Sequence, residues 1–213
     1  MEFRDLLRIV GDEPVFETGL LLAGDVDAAD VRRQLSRWAA RGKVVALRRG
    51  LYALAAPYRK VEPHAFLVSN RLVSPSYVSL QSALSHHGFI PEGVPITTAV
   101  TPRRPGARST TLGAFLYRHV DTALLFGFVS EEVAPGQRAL VATPEKALLD
   151  LVHLTPGGDR PEALAALRLQ GLERLDRERL SLLAGHWPGH KARRAARAVK
   201  RLADAQADEE EML

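Results

Sequence analysis

The chain has 213 residues, 46% hydrophobic and 25% charged, with a net charge of +4 and a pI near 9.7. This is an ordinary globular mixture, long enough for a real core and for two domains, and it excludes a disordered or fibrous protein. The charge tilts the chain mildly towards anionic partners. Aromatic residues make up only 6%, which argues against single-strand binding by rows of stacked bases. There is no cysteine, so disulfides and thiolate metal sites are ruled out, and the composition fits a reducing cytosol. No apolar run approaches membrane-spanning length. The opening MEFRDLLRIVGDEP is amphipathic and acidic, unlike a signal peptide. A cytoplasmic protein without a membrane partner is expected.

Residues 2–10 should form the first helix, with Phe3, Leu6, Leu7 and Val10 on its apolar face. Gly11-Asp12-Glu13-Pro14 breaks it. Residues 15–23 start extended and become a short second helix with Thr18 as cap, and Gly24-Asp25 is the turn that follows. Asp27 caps the next helix and Asp30 lies in its first turn, where a carboxylate meets free N–H groups and the positive dipole end. Val31, Leu35 and Trp38 mark its buried face, and Arg32, Arg33, Ser36 and Arg37 fall opposite. Gly42 stops it. Val44-Val45-Ala46-Leu47 is a strand, Arg48-Arg49-Gly50 a basic turn, and Leu51-Tyr52-Ala53-Leu54 the returning strand.

Helix, stop and basic hairpin in that order describe the recognition helix and wing of a winged helix-turn-helix, whose recognition helix enters the major groove. A solvated helix face explains any one of these arginines by itself. The combination points to nucleic acid: the helix carries no acid after Asp30, and the adjoining turn adds Arg48 and Arg49. The candidate DNA-contact residues are Arg32, Arg33, Ser36, Arg37, Arg48 and Arg49, in a domain spanning 1–57. Pro57 and Pro63 flank a linker.

A second, α+β domain is expected over 64–155. It has helices at 64–70 and 76–84, the latter ending at Gly88, and a strand over 94–101. A basic loop follows, Pro102-Arg103-Arg104-Pro105-Gly106, which could touch phosphate or a protein partner or simply be exposed. Further strands are expected at 115–120 and 126–129. Thr143-Pro144-Glu145 opens a helix with a cap, a proline at the first helical position and a first-turn acid. The remainder, 156–213, reads as a C-terminal helical extension with helices at 161–170, 176–183 and 190–206 and a frayed acidic tail at 208–211. Lys191, Arg193, Arg194, Arg197, Lys200 and Arg201 spread around the last helix, as a solvated terminal helix or a second nucleic-acid contact. The expected fold class is therefore α+β: an N-terminal winged helix-turn-helix, a mixed α/β domain and C-terminal helices.

Three other groups carry residue types suited to chemistry. Tyr77, Ser79, Ser82, His86 and His87 yield no nucleophile–base–orienter arrangement and read as polar residues of a helix that pair locally or meet solvent. His186 and His190 have helical metal-pair spacing, but Pro188 and Gly189 lie between them. Glu145, Lys146 and Asp150 resemble nuclease content, yet metal-dependent cleavage needs converging carboxylates. Here Glu145 is a first-turn acid, and Lys146 and Asp150 form an i,i+4 pair on an amphipathic helix. No phosphate-binding glycine loop and no Gly-x-Ser-x-Gly elbow occurs. No catalytic residue, metal or cofactor is expected.

The order of segments carries a family resemblance. After the winged helix come YVSLQSALSHHGFIPE (77–92), TTAVTPRRPG (97–106), FLYRH (115–119) and ATPEKALLDLVHL (142–154). This resembles the AbiEi-type transcriptional regulators, the antitoxins of type IV toxin–antitoxin systems, over nearly the whole chain and most closely over 28–154. The resemblance implies an N-terminal domain that binds inverted repeats in double-stranded DNA of its own promoter and represses its operon. It implies a C-terminal part that serves repression and counteracts a nucleotidyltransferase-like toxin without forming a stable complex with it. It transfers the DNA-binding role to Arg32, Arg33, Ser36, Arg37, Arg48 and Arg49 and gives no residues for antitoxin action. A palindromic operator calls for two copies, so a homodimer on DNA is a further expectation. The alternatives are a stand-alone regulator, a protein-interaction module, and a nuclease.

Overall fold

The computed structural model describes residues 1–23, 26–91 and 93–211, with the side chains of 207–211 excepted. Among the described residues it is a mixed α+β fold with eight α-helices and two β-sheets. The expected turn at Gly24-Asp25 lies outside the described residues.

The first helix, α1 (Phe3–Val10), is preceded by Glu2, whose backbone N–H donates to Asp5. Its end is set by Gly11, which takes φ 58, a left-handed value that glycine adopts at little cost. The expected second helix is only a 3-10 turn at Thr18–Leu21, preceded by β1 (Phe16–Glu17). Thr18 is not its cap. Its N–H donates to Gly50 O at 2.9 Å and its hydroxyl to the same oxygen at 3.4 Å. Pairing of Phe16 and Glu17 with β3 extends the chain up to that point and leaves room for a single turn.

The third helical segment, α2 (Ala28–Ala40), agrees with the periodicity. Asp27 caps it by accepting from Ala29 N, and Val31, Leu35 and Trp38 are buried. Gly42, at φ 66, turns the chain into β2 (Val44–Arg48), which pairs with β3 (Leu51–Leu54). A register shift between Ala46 and Arg48 sets Arg48 opposite Leu51. The turn is therefore the two residues Arg49-Gly50, and Gly50 supplies the positive φ of 82 that such a tight hairpin requires. Strand order is β1-β3-β2. Leu6, Val10, Phe16, Leu21, Val31, Leu35, Trp38, Val44 and Leu54 close one core cluster beneath α1 and α2.

The larger sheet has the order β6-β7-β5-β4-β9-β8. Its strands are β4 (Tyr77–Val78), β5 (Ile96–Thr101), β6 (Gly106–Thr110), β7 (Gly113–His119), β8 (Phe128–Ala134) and β9 (Gln137–Ala142). The pairs β5–β7 and β4–β9 are parallel and the others antiparallel. Helix α3 (Ala65–Leu72) begins at His64, whose Nδ1 accepts from Phe66 N. The helix expected over 76–84 divides in two. Tyr77-Val78 is a buried strand between β5 and β9, and only α4 (Leu80–His86) is helical. Leu80, at φ 59, makes the break.

Helix α5 (Pro144–Leu154) starts as expected, with the Thr143 side chain accepting from Lys146 N. It is not amphipathic. All residues from Glu145 to Val152 are buried. The C-terminal helices α7 (Arg177–Ala184) and α8 (Lys191–Glu211) pack against it, and α6 (Pro161–Ala165) packs against α8. Helix α6 stops well short of residue 170, and α8 continues past 206.

Successive strand residues point to opposite faces, and β5 divides accordingly. Ala99 joins Leu47, Leu51 and Ala53 of the hairpin, Leu67, Val68 and Leu72 of α3, and Phe115 and Tyr117 of β7. Val100 joins the cluster that runs from Tyr77 through α4 and α5 to Ala203 of α8. The N-terminal hairpin is thus seated on α3 and one side of the large sheet, and the C-terminal helices share the core on the other. No described helix is long and apolar enough to cross a membrane.

Candidate nucleic-acid interface

Burying Val31, Leu35 and Trp38, each worth about 1.5–3 kcal/mol, fixes the roll of α2. The same roll turns Arg32, Arg33, Ser36 and Arg37 outward, and all four are exposed. Arg33 is tied to Asp30 one turn back. No ion pair or side-chain hydrogen bond engages Arg32, Ser36 or Arg37 among the described residues. A helix of 13 residues is about 20 Å long at ~1.5 Å per residue, and a helix of this kind fits a B-DNA major groove about 12 Å wide.

The hairpin tip treats its two arginines differently. Arg48 is held within the fold. Its Nη2 meets Glu17 Oε1 at 3.2 Å, its Nε donates to Arg71 O at 3.0 Å, and its Nη1 donates to Arg49 O at 3.1 Å. It ties the hairpin to β1 and to the end of α3. Arg49 is exposed and has no side-chain partner among the described residues. Together with Arg32, Thr18, Gly50 and Tyr52 it lines a hollow of about 490 Å³ between α2 and the turn. Two cations without a counter-charge thus face one concavity, an arrangement that concentrates anions. Sequence reasoning missed Thr18 and Tyr52 in this hollow. The only available signal was the Thr18-to-turn pairing, which depends on β1.

The second group brought together is internal. The Asp150 carboxylate accepts from Tyr77 OH at 2.9 Å and Ser79 Oγ at 2.8 Å and is paired with the Lys146 ammonium. Both charged side chains are 0% exposed. The rings of Tyr77, Phe126 and Trp187 surround Nζ at 5.3, 4.9 and 4.6 Å. Burial pushes the Asp150 carboxyl up and the Lys146 ammonium down, and each group opposes the other's shift by favouring its charged partner. Burial, and then the neighbouring Asp150, raises Tyr77 far above the usual phenol range. Glu145 turns elsewhere, accepting from Asp176 N at 3.1 Å. Glu145, Lys146 and Asp150 therefore hold β4, α5 and α7 together and do not converge on an open surface.

Ser82 and Thr98 exchange hydrogen bonds, Ser82 N to Thr98 Oγ1 at 3.1 Å and Thr98 N to Ser82 Oγ at 2.8 Å, which locks α4 to β5. His186 contacts Leu182 O at the end of α7, and His190 precedes α8, so the two share no helix. Of the basic residues on α8, Arg194 bonds Asp159 and Lys191 bonds the carbonyls of His153 and Thr155. Arg103 and Arg104 are exposed.

No family model and no curated protein matches the chain. Among solved structures, the Rv2827c protein from Mycobacterium tuberculosis is similar, with a TM-score of 0.54 and 18% sequence identity. The match covers 92% of this chain and 74% of that one. At that identity the similarity is one of fold.

Proposed function

We propose that the chain is a sequence-specific regulator that binds double-stranded DNA through a winged helix-turn-helix formed by residues 1–57. In this reading α2 is the recognition helix, the β2–β3 hairpin is the wing, and the 3-10 turn at Thr18–Leu21 stands in for the helix before α2. The observation that carries it is the basic surface of α2 and the turn, on which Arg32, Arg37 and Arg49 have no counter-charge among the described residues, with Arg32 and Arg49 on one hollow. Arg32, Arg33, Ser36 and Arg37 supply base-edge and phosphate contacts, arginine being suited to guanine, and Arg49 supplies phosphate or minor-groove contacts. Arg48 positions the turn through Glu17 and Arg71.

The AbiEi resemblance of the motifs supports a narrower reading: a cytoplasmic, autorepressing antitoxin that binds inverted repeats as two copies and counteracts a nucleotidyltransferase-like toxin without a stable complex. A stand-alone regulator shares the same DNA site. The test is the double variant Arg32→Ala/Arg49→Ala. It should keep the wild-type melting temperature and reduce the slope of log affinity against log salt by about 2 per copy. An unchanged slope would remove the hollow from the interface. Co-expression with a nucleotidyltransferase-like gene from the same operon separates antitoxin from lone regulator by rescue of growth.

A further inference from the structure

We propose that His86, His87 and Glu131 form a site for one divalent transition-metal ion of the zinc class. His86 ends α4, His87 follows as its C-cap, and Glu131 lies on β8. One ring nitrogen from each histidine and one carboxylate oxygen of Glu131 lie within 4.8 Å of one another. Among the described residues this is the one cluster of three or more such side chains able to hold an ion.

The local hydrogen bonds suit a ligand set. His87 Nε2 is 2.9 Å from Ala142 O. A carbonyl only accepts, so Nε2 carries the proton and Nδ1 keeps the lone pair. A hydrogen bond from the far ring nitrogen to a backbone carbonyl is what fixes the tautomer and orientation of a metal-bound histidine. His86 Nε2 is 3.0 Å from Glu131 Oε2, so an imidazole and a carboxylate already converge. Phe66 packs edge-on against His86, with ring centroids 5.3 Å apart, and limits its swing.

Two imidazoles and one carboxylate favour zinc, cobalt or nickel over magnesium and calcium, which take mostly oxygen ligands. Bonds of about 2.0–2.1 Å give a tetrahedral edge of roughly 3.3 Å, so no gap in the cluster has to close by more than about 1.5 Å. The His86 and Glu131 side chains are 31% and 29% exposed, which lets water fill the fourth position. The bound ion would clamp the end of α4 to β8. The site is independent of the DNA-binding surface.

The experiment is a zinc titration of the chelator-stripped full chain against a chromophoric competitor, with cobalt(II) absorption as a readout of coordination geometry. One ion should bind per chain. At zinc about 100-fold above the dissociation constant, the melting temperature should rise by roughly 5–10 °C. Glu131→Gln and His86→Ala, both at accessible positions that leave the core intact, should each lower affinity by at least about 100-fold. His190→Ala should bind as the wild type does. No uptake by the wild-type chain, or equal uptake by the Glu131→Gln and His86→Ala variants, would overturn the proposal.

Discussion

Replacing Asp150 by asparagine removes one charge from a sealed pair and leaves the shape almost unchanged. Tyr77 and Ser79 keep an oxygen to donate to, and Lys146 loses its counter-ion at 0% exposure. The variant then has two ways to fold. It can keep an unpaired buried ammonium, which costs about 3–5 kcal/mol, or it can fold with a neutral amine. At ~1.36 kcal/mol per unit and an ordinary lysine pKa of about 10.4, neutralisation at pH 7 costs about 4.6 kcal/mol. The ring faces of Tyr77, Phe126 and Trp187 offset about 2 kcal/mol of the first cost. A net loss of roughly 1–3 kcal/mol at pH 7 is expected, within the ~5–15 kcal/mol of a typical domain, so the variant still folds.

The sign with pH follows from proton linkage. At pH 7 the charged route is the cheaper one. The neutral route overtakes it where ~1.36 kcal/mol per unit below a pKa of about 10.4 falls under about 1–3 kcal/mol, between roughly pH 8 and pH 10. Above that point the unfolded chain binds one more proton, and variant stability rises by about 1.36 kcal/mol per unit. The gap to wild type should therefore hold near pH 7 and narrow by about pH 10. Urea unfolding at pH 7, 9 and 10 reads this directly. Adding Lys146→Met to Asp150→Asn should recover most of the loss, since it removes the unpaired charge and keeps an acceptor for Tyr77 and Ser79, whereas Asp150→Leu would leave both hydroxyls without one. A loss below about 1 kcal/mol at pH 7, or a gap that stays constant to pH 10, would refute the picture of a buried charge held by its partner.

Gly127→Ala should destabilise by about 1–3 kcal/mol in thermal unfolding, because its φ is +70 and a Cβ would lie 3.1 Å from the Lys146 Cβ and Cγ. A melting point equal to wild type would mean that the approach relaxes freely. Arg48→Ala should lower stability by up to about 1 kcal/mol and weaken DNA binding less than Arg49→Ala, as seen by pairing calorimetry with titration of each variant; the reverse order would return Arg48 to the contact surface. The Arg194 hydrogen bond holds the Asp159 carboxyl below its usual range, so its stabilisation is present above the ordinary carboxylate pKa and lost as pH falls through the lowered one. Acid unfolding of Asp159→Asn should accordingly trail wild type near pH 6 and merge with it only once the pH has fallen through the lowered carboxyl pKa; a deficit that persists at still lower pH would assign the loss to packing.

Where local chemistry decided the structure, the sequence was legible. Asp27, the Val31–Leu35–Trp38 spacing and Gly42 define α2, and Thr143-Pro144-Glu145 defines the start of α5, because caps and periodicity act within a few residues. Non-local pairing decided the rest. β6 carries no apolar alternation and exists because β7 pairs with it. β9 does alternate, with Gln137, Ala139 and Val141 inward and Arg138 and Leu140 outward, a period-2 signal that the sequence reading passed over. Tyr77-Val78 looked continuous with α4 until Leu80 took its left-handed turn. The exposure of Arg32, Arg33, Ser36 and Arg37 was legible from α2 alone. The difference between Arg48 and Arg49 was not, since it depends on a register shift in β2 and on Glu17 and Arg71 lying across from the turn.

The central claim, that α2 and the turn bind a specific DNA sequence, is tested by titrating the full chain against its own upstream promoter fragment and a scrambled fragment of equal length at two salt concentrations. On the proposed reading, Arg32, Arg37 and Arg49 in each of two copies would make about six phosphate contacts, so affinity should fall roughly 10³-fold between about 50 and 200 mM salt. The promoter should be preferred over the scrambled fragment at both. Binding to neither fragment, or equal binding to both, would contradict the account.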